Sequence, residues 1–173
     1  DIYGGMLELT RRLTAQGNRK FVLLSGAEGV DTMDQRVAGF RTGLAEAGLA
    51  GQVWYTGDTG YESAYRRVLE APREELPQVF MCINDLMALA AMNALARRGM
   101  RAPEDVGVAG FDDGVFAQVS PVPLTTVHLD LSALTGAILE TMLRLLNGER
   151  AYPATIPSQA ILRRSTQRKE KKN

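Results

Sequence analysis

A doubly wound, Rossmann-like α/β fold with a mostly parallel sheet is what this 173-residue sequence predicts. Two patterns carry the prediction. Four apolar runs, F-V-L-L-S-G (21–26), V-W-Y-T-G (53–57), V-F-M-C-I (79–83) and V-G-V-A-G-F (106–111), start roughly 26 to 32 residues apart. Each of the first three is followed by a helix-like segment, the period of successive right-handed βαβ units. The second pattern is polar. Asn84 and Asp85 follow the third run and Asp112 and Asp113 the fourth, at the strand ends where open α/β sheets bind ligands.

The elements can be read in order. Residues 4–16 predict a helix with Leu7, Leu9 and Leu13 among its apolar positions, stopped by Gly17, a residue that takes the left-handed conformation cheaply. After the first strand, Gly26 and Gly29 mark a loop, and 34–47 predicts a second helix ending at Gly48. A shorter helix over 61–70 stops before Pro72. Asn84 or Asp85 caps a fourth helix over 85–98, rich in Ala and Leu, with Arg97, Arg98 and Gly99 favourable at its C-terminus. Capping is the role expected of Asp85, while Asn84, a candidate ligand contact, is also the best helix cap in the region. Segment 113–123, with Pro121 and Pro123, reads as a loop, and T-T-V-H-L (125–129) as a strand. Residues 131–146 form a fifth helix whose Leu134, Ile138, Leu139, Met142, Leu145 and Leu146 make a wide apolar stripe. A last strand is expected within 155–163, followed by a basic tail at 167–173 expected to be disordered.

Composition excludes several functions. Basic and acidic residues balance at 20 each, but 163–173 holds six basic residues and one acidic, leaving a body with a net charge of −5. Such a body repels a phosphate backbone, and the terminal R-K-E-K-K has no interleaved aromatic and reads as a solvated tail. Cys82 is the single cysteine and reads as a small buried hydrophobe, without a disulfide or thiolate metal partner. There is no apolar run of about 18 residues and no export signal ahead of Asp1, so membrane insertion and export are not expected. The sequence also starts without Met. The expectation is therefore a fragment or processed form, with any targeting or DNA-binding segment upstream. Catalysis is not expected: His128 is the only histidine and no G-x-S-x-G turn accompanies it. A Walker A motif and the spacing of a dinucleotide fingerprint are also lacking.

The ordered blocks I-N-D-L-M-A-L (83–89), R-A-P-E-D-V-G-V-A-G-F-D-D (101–113) and P-L-T-T-V (123–127) resemble the regulatory domain of the LacI/GalR family of bacterial transcription regulators. D-I-Y-G-G (1–5), R-V-A-G-F (36–40) and S-T-Q (165–167) extend the resemblance over nearly the whole chain. It implies a periplasmic-binding-protein-like (type I) lobe, residues 1–166, with the DNA-binding headpiece and most of the first lobe absent and helix 131–146 crossing to that lobe. It also implies a small-molecule effector, often a sugar or a purine, held between two lobes without a cofactor or metal.

The expected ligand contacts are Arg36, Asn84 and Asp112, with Thr32, Asp1 and Tyr61 beside them. Arg36 offers a fork of five donors, Asn84 both donor and acceptor, and Asp112 an acceptor for vicinal hydroxyls. Asp113 is expected to be structural. Tyr61 enters as a substitute ring, because Thr59 stands where many members carry an aromatic after G-D. Ile2 and Leu129 likewise replace polar residues of the family pattern, which points away from the best-known sugars and purines. The resemblance further implies a cytoplasmic homodimer, formed through the helix after Asn84 and the loop after Asp113, with Leu86, Leu89, Met92 and Met100 as interface candidates. DNA would be contacted only by the absent segment. A transporter's periplasmic sugar-binding protein shares this fold, and a flavodoxin-like enzyme or phosphoreceiver is a second alternative.

Overall fold

In the computed structural model, which describes residues 1–167, helices and strands alternate from the start. Helix α1 (Ile2–Ala15) leads to β1 (Phe21–Ser25), α2 (Asp31–Glu46), β2 (Gln52–Tyr55), α3 (Tyr61–Glu70), β3 (Val79–Cys82), α4 (Asp85–Arg97) and β4 (Gly107–Ala109). The four strands are parallel and lie in the order β2-β1-β3-β4. With right-handed crossovers, the chain winds outward from β1 to β2, then returns past β1 to β3 and β4. That reversal puts α1 with α2 on one face and α3 with α4 on the other, and both pairs are in contact. The buried runs of β1 and β3 are apolar throughout apart from Ser25, as a strand covered on both faces requires.

Local chemistry explains the boundaries. Asp1 caps α1 by accepting a hydrogen bond from the Gly4 amide at 2.8 Å, so the helix starts two residues before the sequence pattern shows it. Gly39 and Gly43 bring α2 against α1. An added Cβ would lie 2.5 Å from the Tyr3 carbonyl at Gly39 and 2.7 Å from the Thr10 Cβ at Gly43.

Three details differ from the sequence reading. Asn84, and not Asp85, caps α4: its Oδ1 accepts from the Met87 amide at 2.7 Å, while the Asp85 carboxylate is buried. The segment read wholly as a loop contains a short helix, α5 (Val115–Val119), anchored by buried Ala117 and too short to show a period. The last strand, β6, spans only Ser158–Ile161. It pairs antiparallel with β5 (Thr126–Leu129), which lies parallel to the end of β4 through the Gly110 and Asp112 amides.

Between β5 and β6 stands α6 (Leu131–Leu146), in which no residue is buried. Its Leu134, Ile138, Leu139, Met142 and Leu146 are 40% to 80% exposed. The tail reading falls on residues of which 168–173 lie outside the described range. No described helix is long and apolar enough to cross a membrane.

Candidate functional site

Strand order locates the site. The chain leaves β1 toward one face through α2 and leaves β3 toward the other through α4, so a crevice opens between their carboxyl ends. Arg36 reaches this edge from the second turn of α2. Its Nη2 lies 3.4 Å from Asp112 Oδ1 and its Nη1 donates to the Thr32 carbonyl at 3.1 Å. The guanidinium rests 4.3 Å above the centre of the Phe111 ring, a cation–π contact that holds the fork flat. Only 12% of the Arg36 side chain is exposed, and its Nε is buried without a hydrogen-bond partner.

Burial lowers the pKa of Arg36, opposed by the neighbouring Asp112 carboxylate. Arginine nevertheless stays cationic in proteins. Burial likewise raises the Asp112 carboxyl, and the Arg36 guanidinium pulls it back down. A bond of 3.4 Å lies beyond the usual range for charged partners, and a half-exposed pair of this kind contributes about 0–1 kcal/mol. It is readily exchanged for an incoming oxygen. The unpartnered Nε adds a donor that nothing among the described residues satisfies, a state that native interiors avoid unless a ligand or water supplies the acceptor.

The loop carrying Asp112 is held from several sides. Asp112 and Asp113 adopt positive φ, 107° and 54°, unusual for residues other than glycine. The Asp112 amide donates to the Val127 carbonyl at 2.9 Å. Asp113 is tied by Arg163 at 2.6 Å and by His128 Nδ1 at 3.1 Å, which makes it the structural member of the pair.

Arg36, Thr32 and Asp112 are thus brought together, whereas the other candidates are dispersed. Asn84 stands at the edge of β3, but its Oδ1 is the α4 cap and its Nδ2 donates to the Thr59 carbonyl at 3.2 Å, leaving one N–H for anything else. Tyr61 does not join the group. Its ring stacks on Tyr65 and its hydroxyl accepts from Asn93 at 2.8 Å, along the α3–α4 interface. The smaller Thr59 sits nearer the strand ends, its methyl packed so close to Gly26 that a Cβ there would be 2.8 Å away.

Asp1 borders a cavity of about 470 Å³, where Ile2, Leu129, Leu134 and Ile156 meet Gln35 and Asp130. Arg36 and Asp112 do not line this cavity; its nearest links to them are along the chain, through Gln35, which precedes Arg36 in α2, and Leu129, which follows His128, the residue bridged to Asp112. Sequence reasoning missed Phe111 as the platform under Arg36. Its only signal is its place directly before Asp112, and a strand's alternation gives no reason to link it with a residue of α2. Among the interface candidates, Leu86, Leu89 and Met100 are half-buried. Met92 is buried, with its sulfur accepting from Ser120.

Residues 10–166 match a family profile described as a periplasmic binding protein-like domain. The chain belongs to that family, in the branch found in LacI-family regulators. It is 35% identical over 131 residues to the HTH-type transcriptional repressor PurR of Haemophilus influenzae, an overlap of 72% of this chain and 38% of the relative. The HTH-type transcriptional regulator CelR of Thermobifida fusca is 32% identical over 163 residues, 90% of this chain and 47% of that protein. Among solved structures, a CelR–cellobiose complex superposes with a TM-score of 0.85 at 28% identity, covering 95% of this chain and 52% of that one. The lac repressor dimer bound to operator and anti-inducer gives 0.87 at 25% identity, with 96% and 51% covered. The chain therefore spans between about two fifths and one half of the length of these relatives. The expected fold class and family are met.

Proposed function

We propose that this chain is the effector-binding lobe of a LacI-type transcription regulator, which senses a sugar or related small metabolite and works by allostery without catalysis. The observation that carries the reading is Arg36: a buried guanidinium on an aromatic platform, at the crevice of a doubly wound sheet, with one donor unfilled. Such a group binds two oxygens of a polyol or an anion at once. Asp112 accepts from neighbouring hydroxyls, while Thr32 holds the fork in place and Asn84 contributes its remaining N–H. Asp1 borders the far side.

We take the cavity bordered by Asp1 as part of the same cleft, linked to Arg36 through its α2 neighbour Gln35, and its lining suggests which effectors suit it. Asp1 and Asp130 spend one carboxylate oxygen each capping α1 and α6, and the walls between them are Ile2, Leu129, Leu134 and Ile156. An effector with oxygens at one end and a hydrocarbon portion at the other matches both halves better than an unsubstituted sugar. The Leu129→Gln substitution is expected to weaken binding of an alkyl or aryl glycoside relative to the parent sugar.

The remaining length of the regulators accounts for features this lobe leaves open. Helix α6, exposed on its apolar face, is the natural contact of a second lobe, and the effector closes the cleft between the two. Exposed Val115 and Phe116 on α5, beside half-buried Leu86 and Leu89 of α4, suit a homodimer in which the cleft's state is passed to paired DNA-binding segments. Those segments lie outside this chain, in keeping with its acidic body, and the setting is the cytoplasm, where operator DNA is. The test is calorimetric titration of the intact protein with cellobiose, alkyl glucosides, sugar phosphates and purines, beside an Arg36→Ala variant. Binding weakened by about tenfold or more in the variant supports the reading; equal affinities overturn the role of Arg36.

A further inference from the structure

Asp85 is the one carboxylate among the described residues that is almost wholly buried, at 2% exposure, and it forms no ion pair there. Its two oxygens go to two different elements. Oδ1 accepts from the Thr126 hydroxyl of β5 at 2.6 Å, and Oδ2 from the Gly114 amide at 2.9 Å, where the Asp112 loop passes into α5. Gly110 makes room for it, since a Cβ at that position would lie 2.3 Å from Asp85 Oδ1. The N-terminus of α4 is thus joined, through one side chain, to the loop that offers Asp112 to Arg36 and to the helix that exposes Val115 and Phe116. Asn84 already caps α4, so the helix does not need Asp85 for that purpose.

We propose that ionised Asp85 is a positioning residue that fastens the 112–114 loop to α4 and so sets the place of both the Asp112 carboxylate and the apolar face of α5. The role at Asp112 rests on the effector reading above, whereas the fastening itself does not. An amide N–H only donates, so the Gly114 bond needs a lone pair on Oδ2, and a carboxylate is the stronger acceptor for both donors. Protonation weakens the fastening. Burial raises this carboxyl to about 6, against the Thr126 and Gly114 bonds that lower it, with Asp112 and Asp113 raising it further. The other charged and titratable groups around it are engaged elsewhere or neutral. Arg36 is paired with Asp112, Arg163 and His128 with Asp113, and the Cys82 thiol of β3 is buried and pushed up.

The experiment needs no effector. The intact protein is labelled with ¹⁵N-glycine, and the Gly114 amide is assigned by its loss in Gly114→Ala, a position where an added Cβ meets nothing within 4 Å. Its resonance should shift with pH, with a midpoint of about 6, and its solvent exchange, corrected for intrinsic rate, should slow as pH rises through that midpoint. In Asp85→Asn the inflection should vanish and Gly114 exchange should rise by about tenfold while near-ultraviolet circular dichroism stays native. Thr126→Val, which removes one donor to the ionised form, should move the midpoint upward. The inflection should survive in His128→Gln, the imidazole that reaches the loop through Asp113. No inflection in the wild type, an inflection that persists in Asp85→Asn, one lost in His128→Gln, or an unmoved midpoint in Thr126→Val overturns the proposal. Because none of these readings involves a ligand, they separate it from the effector titration.

Discussion

Arg36 shows how much of this site depends on one side chain's surroundings. A surface arginine at the second turn of a helix spends its donors on water; here Phe111 below and Asp112 beside it remove most of the water and leave Nε unfilled. Lysine keeps the charge but loses the fork and the stacked plane. Arg36→Lys is therefore expected to recover little of the affinity lost in Arg36→Ala, to whichever probe of the panel binds. Calorimetry comparing the two variants checks this, and full recovery by lysine would reduce the site to a point charge. Asp85 makes a second statement at this scale, about pH. Its folded pKa, about 6, lies above the ordinary aspartate value of 3.8, so its contribution to global stability is complete below the lower value and is lost as pH rises through the upper one. The change is on the order of 2–3 kcal/mol. Denaturant titrations of wild type and Asp85→Asn should show their stability difference changing across that window, with the wild type losing more toward neutral pH. The ionised carboxylate that fastens the loop is thus held at a cost to the whole fold.

At the scale of elements, two helices make opposite predictions. Helix α2 lies on α1 through Gly39 and Gly43, where even a methyl group would overlap a carbonyl or a threonine. Gly39→Ala is expected to destabilise the fold by about 1–3 kcal/mol by urea unfolding, whereas Ala38→Ser, on the exposed side of the same turn, should stay within about 0.5 kcal/mol. No residue of helix α6 is buried among the described residues. Leu139→Glu with Met142→Lys should leave the stability of the 173-residue chain unchanged within about 0.5 kcal/mol. In the intact protein, where a second lobe is proposed to cover that face, the same pair should lower it by 2 kcal/mol or so. Equal and small effects in both would mean that nothing covers α6. The elements also show what periodicity registers well. Helices α3 and α4 stand within a residue of their expected limits, because Pro72, Gly99 and the Asn84 cap act locally. Helix α5 and the short β6 lack such markers and depend on contacts with α4 and with β5.

For the whole molecule, the alternation of apolar runs with helical segments was enough to determine the class of fold, since each run must be covered on both faces and each crossover must return to the sheet. The three ordered blocks were enough for the family, and with it the neighbourhood of Arg36 and Asp112, because strand ends carry polar residues that a buried sheet otherwise excludes. Side-chain commitments were decided only by the tertiary structure. Asn84 and Asp85 are adjacent polar residues with equal claims to cap a helix; which one caps and which is buried depends on Thr126 and Gly114, from elements 29 to 41 residues away. Tyr61 was drawn off the site by Asn93 and Tyr65, and Met92 into the interior by α5. Phe111 became the platform for Arg36 because α2 and the end of β4 converge at the crevice. A sequence records which residues are able to bond and how they repeat along the chain. The choice among competing partners is made by distance in three dimensions, where the desolvation of each group is settled.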